Sequence, residues 1–290
     1  MKRFGKIMFC FLPALLAFGI QQLLSFPAVA IALLRILYSD SVSNMDDLIL
    51  AYNKAITSSS FSCAVLIMYG IAALIIFGFW YRKKFITHFS LPTASNFNFP
   101  IIAGLIMTAV GLQYVSNYIV SITAAIHPAW LDTYTKLLES VGFDDVSVVL
   151  AAYSVLVAPI CEELIFRGVT MHYAKRAMPF VLANIFQALL FGIYHMNVLQ
   201  GVYAFFVGLI LGYICEKGGS IILAILFHIC FNIWGTFAPE WFMYGADQAF
   251  FFILWFLVGM VLLVCGILLF KHGIQKRDEI VNYSSASSDM

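Results

Sequence analysis

The feature that most constrains this chain is a succession of apolar runs about 20 residues long, the length at which an α-helix crosses a roughly 30 Å hydrocarbon core. Backbone in hydrocarbon finds no water, so each span must satisfy its own N–H and C=O groups, which leaves helices or a closed barrel. The runs are continuous rather than alternating over ten residues, so an outer-membrane barrel is not expected. About eight spans are the economical reading: one within 7–37, interrupted by Pro13 and Pro27, then 61–81, 100–125, 147–174, 179–199, 201–215, 220–238 and 248–270. The run 201–215 is short for a straight span. Composition agrees, with 62% hydrophobic and 11% charged residues, against about 25% charged in soluble domains. The expected fold is an all-α, polytopic membrane protein with an active site formed between core helices.

Charge sets the orientation. Lys2, Arg3 and Lys6 flank the first span, Arg82, Lys83 and Lys84 follow the second, and Lys175 with Arg176 follows the fourth. Lys217 follows the sixth, and Lys271, Lys276 and Arg277 follow the last. The intervening loops hold Asp40, Asp46, Asp47, Asp132, Glu139, Asp144, Asp145, Glu240 and Asp247, with Lys54 and Lys136 as their bases. Loops rich in Lys and Arg stay inside, so both termini are expected to be cytoplasmic in a multi-pass cell-membrane protein. Ala28-Val29-Ala30 after a basic start imitates a secretion signal, but the run is longer than a signal core of 7–15 residues, so a retained first span is expected. The net charge of +1 gives no reason to expect a nucleic-acid partner.

The chain divides into N-terminal helices over 1–146, a central core over 147–238, a last span over 239–275 and a polar, disordered tail over 276–290. Segments 39–60 and 126–146 are expected to carry short amphipathic helices. All six cysteines sit in or beside apolar runs without a Cys-x-x-Cys pair, and read as small apolar fillers. No internal repeat is apparent. Gln21, Gln22, Gln113 and Asn117 are expected to bond across helices.

Against this background the core holds residues that a bilayer tolerates only when they are paired, turned inward and functional. Glu162, Glu163 and Arg167 share one span, His195 follows Phe191 by one helical turn in the next, and His228 precedes Asn232 by one turn in a third. Glu163 and Arg167, at i and i+4, share a helix face and form an ion pair. Glu162 points about 100° away without that partner, which makes it the better general base. Pro159 removes a helical hydrogen bond and opens room for water. His228 with Asn232 suits donation to an oxyanion, or His228 suits ligation of a metal.

The order Glu162-Glu163-x-x-x-Arg167, Phe191-x-x-x-His195, His228-x-x-x-Asn232 resembles the CAAX protease and bacteriocin-processing family of intramembrane proteases, which includes the type II CAAX prenyl endopeptidases. The resemblance covers about 147–238. It implies that Glu162 activates the hydrolytic water with help from His195, that Glu163 and Arg167 support the site, and that His228 and Asn232 stabilise the tetrahedral oxyanion. The family has also been labelled metalloprotease, and Glu162, His195 and His228 would be the zinc ligands. The His-Glu-x-x-His pattern is absent, and the resemblance to prenyl endopeptidases implies a glutamate mechanism without cofactor, with zinc as the alternative. The implied activity is an intramembrane endopeptidase acting near the cytoplasmic side on a peptide or protein substrate, which is lipidated if CAAX-type. The alternatives are a non-proteolytic scaffold or bacteriocin self-immunity protein binding a membrane partner, and a proton-coupled transporter.

Overall fold

Runs this apolar close their hydrogen bonds within themselves, and helix is the regular structure throughout the described residues. The computed structural model describes residues 3–39, 42–85, 97–141 and 148–288; Lys2, Asp40, Asp144 and Asp145 lie outside them. The order is α1 (Arg3–Leu37), α2 (Met45–Ile56), α3 (Ser59–Phe85), α4 (Phe99–Ile126), α5 (Pro128–Val141), α6 (Val148–Lys175), α7 (Phe180–Tyr194), α8 (Val198–Gly218), α9 (Ile221–Phe237) and α10 (Ala249–Ser288). Helices α2 and α5 are the short connecting helices of the two long loops.

Among the described residues six helices are long and apolar enough to cross a membrane, whereas α7 and α9, at 15 and 17 residues, are shorter. This redistributes the expected spans. The run 201–215 is the inner part of a 21-residue helix, because Asn197 caps its start and Gly219, at φ 65°, ends it in the left-handed region. The span expected over 179–199 instead stops at Tyr194. A turn of His195, Met196 and Asn197 follows, with Met196 at φ 53°; a non-glycine residue there is strained. Thus α7 and α8 form a hairpin whose tip ends about 22 Å from the start of α7, short of a full hydrocarbon thickness. Pro13 and Pro27 interrupt the apolar run but not α1, since membrane helices re-satisfy the few groups a proline frees. The segment 276–288, expected to be a disordered tail, continues α10, because extending a formed helix carries no nucleation cost.

The basic residues collect at one end of the bundle. There Lys175 pairs with Glu216 at 2.5 Å, Arg277 donates to the Gly218 carbonyl at 2.7 Å, and the Arg176 guanidinium lies 5.0 Å from the Phe85 ring. The apolar core runs through the middle, with Phe77, Phe166, Phe191, Leu211 and Phe227 at 2% exposure or less. Antiparallel α4 and α10 close the bundle through glycines seven residues apart, Gly104 and Gly111 on one helix and Gly259, Gly266 and Gly273 on the other. A methyl on Gly104 would lie 2.5 Å from the Phe270 backbone nitrogen, and one on Gly266 would lie 2.5 Å from that of Thr108.

Candidate active site

The site begins with what Pro159 does to α6. Residues Tyr153–Val157 and Leu164–Thr170 are π-helical turns flanking a short α segment that carries Pro159, Glu162 and Glu163. In the first π turn the Ala158 N–H bonds the Tyr153 carbonyl, and Pro159 has no N–H to offer. The Ser154 carbonyl is therefore left without a helical donor, and Asn232 of α9 supplies one, its Nδ2 donating at 2.8 Å. A buried carbonyl in hydrocarbon must find a partner, so the irregular helix and Asn232 specify one another. In the second π turn Thr170 Oγ1 donates to the Ile165 carbonyl at 2.8 Å and His172 Nδ1 to that of Arg167 at 2.9 Å. Expansions of this kind are common at functional sites.

Glu163 and Arg167 form their ion pair at 2.8 Å with both side chains fully buried. Removing two charges from water is costly unless further hydrogen bonds are made, and here they are. Glu163 Oε1 also accepts from His228 Nδ1 at 2.9 Å, and Arg167 Nη2 reaches the Gly208 carbonyl at 3.4 Å. The guanidinium lies 4.5 Å from the Phe191 ring centroid, a cation–π contact. Phe191 also packs edge-on against His195 at 4.8 Å and His228 at 5.9 Å. One ring thus packs against the guanidinium and both imidazoles, while His228 also bonds the ion pair directly.

Glu162 does not share the ion pair. It lies about 20 Å along α6 from Lys175, 18% exposed, with Oε2 3.6 Å from His228 Nε2. It lines a cavity of about 560 Å³ together with His195, His228 and Asn232. Because Nδ1 of His228 faces a carboxylate oxygen, that nitrogen carries the hydrogen. Nδ1 of His195 likewise donates to the Phe191 carbonyl at 2.8 Å. In both rings Nε2 is the nitrogen left for the cavity. The six residues singled out from sequence therefore meet, in two tiers: Glu163 and Arg167 sealed behind, Glu162, His195, His228 and Asn232 in front.

Two expectations change. His228 spends its first N–H on Glu163, so donating to an oxyanion requires a second proton on Nε2, while Asn232 retains one amide hydrogen beyond that given to Ser154. The site also opens at the other end from the one expected. Every cavity residue contributed by α6 lies at or before Glu162, from Leu150 onward, and every one from α9 lies at or after His228, through Thr236. Both directions lead away from Lys175 and Lys217, so the cavity does not face the basic, cytoplasmic-type loops.

Among the described residues no group of three or more His, Cys, Asp or Glu side chains that could hold a metal ion is present; Nδ1 of each imidazole is held by a protein acceptor, and Nε2 is the nitrogen each would offer to a ligand.

Several contributors were not singled out. Asn184 and Gln187 of α7 clasp α8: Gln187 Nε2 donates to Asn184 Oδ1 at 2.7 Å and to the Gly208 carbonyl at 2.9 Å, and Asn184 Nδ2 donates to the Leu209 carbonyl at 3.0 Å. Gly208 and Gly212 leave space for this clasp; the i, i+4 spacing of two glycines was the available signal. Tyr194, beside His195, is held by the Tyr69 hydroxyl at 2.5 Å and by Gln21 Oε1 at 3.4 Å. Gln113 and Asn117, read as interhelical glue, line the cavity.

Fold and site together define a polytopic helical membrane protein with a carboxylate–histidine centre at mid-depth. Residues 144–234 match the family model described as type II CAAX prenyl endopeptidase Rce1-like. This match supports assigning the core to the CAAX protease and bacteriocin-processing family, at family level one of intramembrane CAAX-type proteases. No curated protein and no solved structure matches the chain.

Proposed function

We propose that the chain is an intramembrane endopeptidase in which Glu162 is the general base. One observation carries the reading: of two adjacent acids, Glu163 is neutralised by Arg167 and sealed, while Glu162 faces a cavity large enough for water and a peptide. The Glu162 carboxylate, next to His228 Nε2 and sharing the cavity with His195, takes a proton from water as the water oxygen attacks the scissile carbonyl. His195 Nε2 holds that water by accepting its second hydrogen. The tetrahedral oxyanion receives the remaining amide hydrogen of Asn232, joined by His228 when its Nε2 carries a proton. Glu162 then passes its proton to the departing amine as the C–N bond breaks. Glu163 and Arg167 act through His228, fixing its ring. The substrate is a peptide or protein segment, and no step is routed through a metal.

The test compares the peptide termini in membranes of cells carrying the wild type or Glu162→Gln at equal protein levels. Loss of a general base costs about 10²–10⁴ in rate, so termini produced by the enzyme should vanish in the variant. Unchanged termini would end the hydrolytic reading.

A further inference from the structure

The cavity has a floor and a direction. Glu162, Phe191, His195 and His228 make the floor, and behind it Glu163, Arg167 and Gln187 are fully buried. From there the walls run one way. Thr236 lies eight residues past His228 on α9, about 12 Å, and Leu150 lies twelve before Glu162 on α6, about 18 Å. Half a hydrocarbon core is about 15 Å, so the walls reach the membrane–water interface at that end. Tyr134, from the connecting helix α5, stands over the same opening, with its hydroxyl 3.5 Å from that of Tyr203.

This end lies opposite the basic one. Arg82, Lys83, Lys84, Lys175 and Lys217 close the sealed side, whereas the open side carries Asp46, Asp47, Asp132 and Asp247 with Arg35, Lys54 and Lys136 as its bases. Loops rich in Lys and Arg remain cytoplasmic. The wall mixes apolar side chains with the amides and hydroxyls of Gln113, Ser116, Asn117, Ser154, Gln200 and Thr236, and among the described lining residues Glu162 is the one carboxylate and there is no Lys or Arg. Ser116 is 3% exposed, and neither its Oγ nor Gln113 Oε1 has a hydrogen-bond partner among the described residues. Buried polar atoms on a cavity wall without protein partners are positions for a ligand's hydrogen bonds.

We propose that the substrate is an uncharged, extended peptide segment that enters from the non-cytoplasmic face of the membrane and bonds its backbone along the amide and hydroxyl wall. The proposal rests on the protease reading for its substrate, but the direction of the opening is testable without it. Thr236→Cys and, on a different helix, Asn117→Cys place a thiol in the wall, and Lys217→Cys places one at the sealed, basic end. Intact cells are treated with a membrane-impermeant maleimide, and adducts are located on each peptide by mass spectrometry, which separates them from the six native cysteines. The two wall thiols should be labelled in intact cells and Lys217→Cys only after permeabilisation. Wall labelling that needs permeabilisation, or that fails on both sides for both variants, overturns the proposal. Termini that depend on Glu162 should map to non-cytoplasmic segments of membrane proteins, and a cytoplasmic location also overturns it. If no terminus depends on Glu162 while the wall thiols are labelled from outside, the hydrolytic reading falls and the orientation stands.

Discussion

Two helix pairs in this molecule use the same device for different ends. Both α4/α10 and α7/α8 bring backbones together through glycine, the usual way to gain contact in a bilayer that gives helices no hydrophobic reason to associate. In α4/α10 the space removed is filled by backbone itself: added methyls on Gly104, Gly111 and Gly266 would fall within 2.4–2.5 Å of the partner helix's backbone nitrogens. In α7/α8 part of that space is filled by amides. A methyl on Gly212 would lie 1.9 Å from Asn184 Oδ1 and 2.8 Å from Gln187 Nε2. The first pair fastens the bundle. The second holds a polar clasp beside Arg167 and, at its tip, delivers His195. Close approach is therefore a neutral resource, and the neighbouring side chains decide whether it yields stability or positioning.

Gly266→Ala should produce the largest stability loss. The obstructing atoms are the Thr108 nitrogen and hydroxyl, and backbone cannot swing aside, so the upper end of the usual overpacking cost, about 3 kcal/mol, is expected. Unfolding in detergent with a chemical denaturant measures it, and turnover per folded molecule should stay near wild type because α10 contributes no residue to the cavity. A folded variant with a tenfold lower rate would show that α4/α10 also positions the site. Gly212→Ala should invert the pattern. Asn184 is a side chain and can move, so about 1–2 kcal/mol is expected, but its displacement frees Gln187 and loosens the carbonyl that Arg167 also uses. Misplacing a catalytic constellation by about 1 Å can cost 10²-fold, and a rate loss of about tenfold is expected. Adding Asn184→Ala should recover part of both losses, since coupled neighbours are non-additive; strict additivity would refute the clasp as the route.

Much of this was legible in the chain, for identifiable reasons. Glu163 and Arg167 announce their pairing by an i, i+4 spacing and by the cost of charge at depth, and that pairing in turn exposes Glu162 as the spare acid. Helix class follows from apolar runs that do not alternate. The hairpin tip was only half legible: His195 and Asn197 break the apolar run and Asn197 is a good cap for α8, but Met196 is no turn former, so the left-handed residue that ends α7 is set by tertiary packing. The glycine heptads on α4 and α10 were visible as spacing, but glycine every seventh residue does not say which helix answers it. The facing of Gln113 and Ser116 toward the cavity depends on the rotation of α4 about its axis, which a long, evenly apolar helix does not encode locally.

Gln187→Leu gives the smallest expected effect and the finest test of the contrast. The change keeps volume while deleting the bonds to Asn184 and to the Gly208 carbonyl. Interhelical hydrogen bonds in membranes average about 0.6 kcal/mol and rarely exceed about 1.7, because the unfolded chain in the bilayer also finds partners. The Gly208 carbonyl keeps Arg167 Nη2 as a donor, so it is not stranded. A stability loss near 1 kcal/mol, no larger than that of either glycine variant, is therefore expected alongside a measurable fall in rate, since the carbonyl is then held from one side alone. A loss approaching the ~3 kcal/mol expected for backbone overpacking would mean that the amides, rather than the glycine approach, hold α7 to α8. The two helix pairs would then differ in what binds them as well as in what they carry.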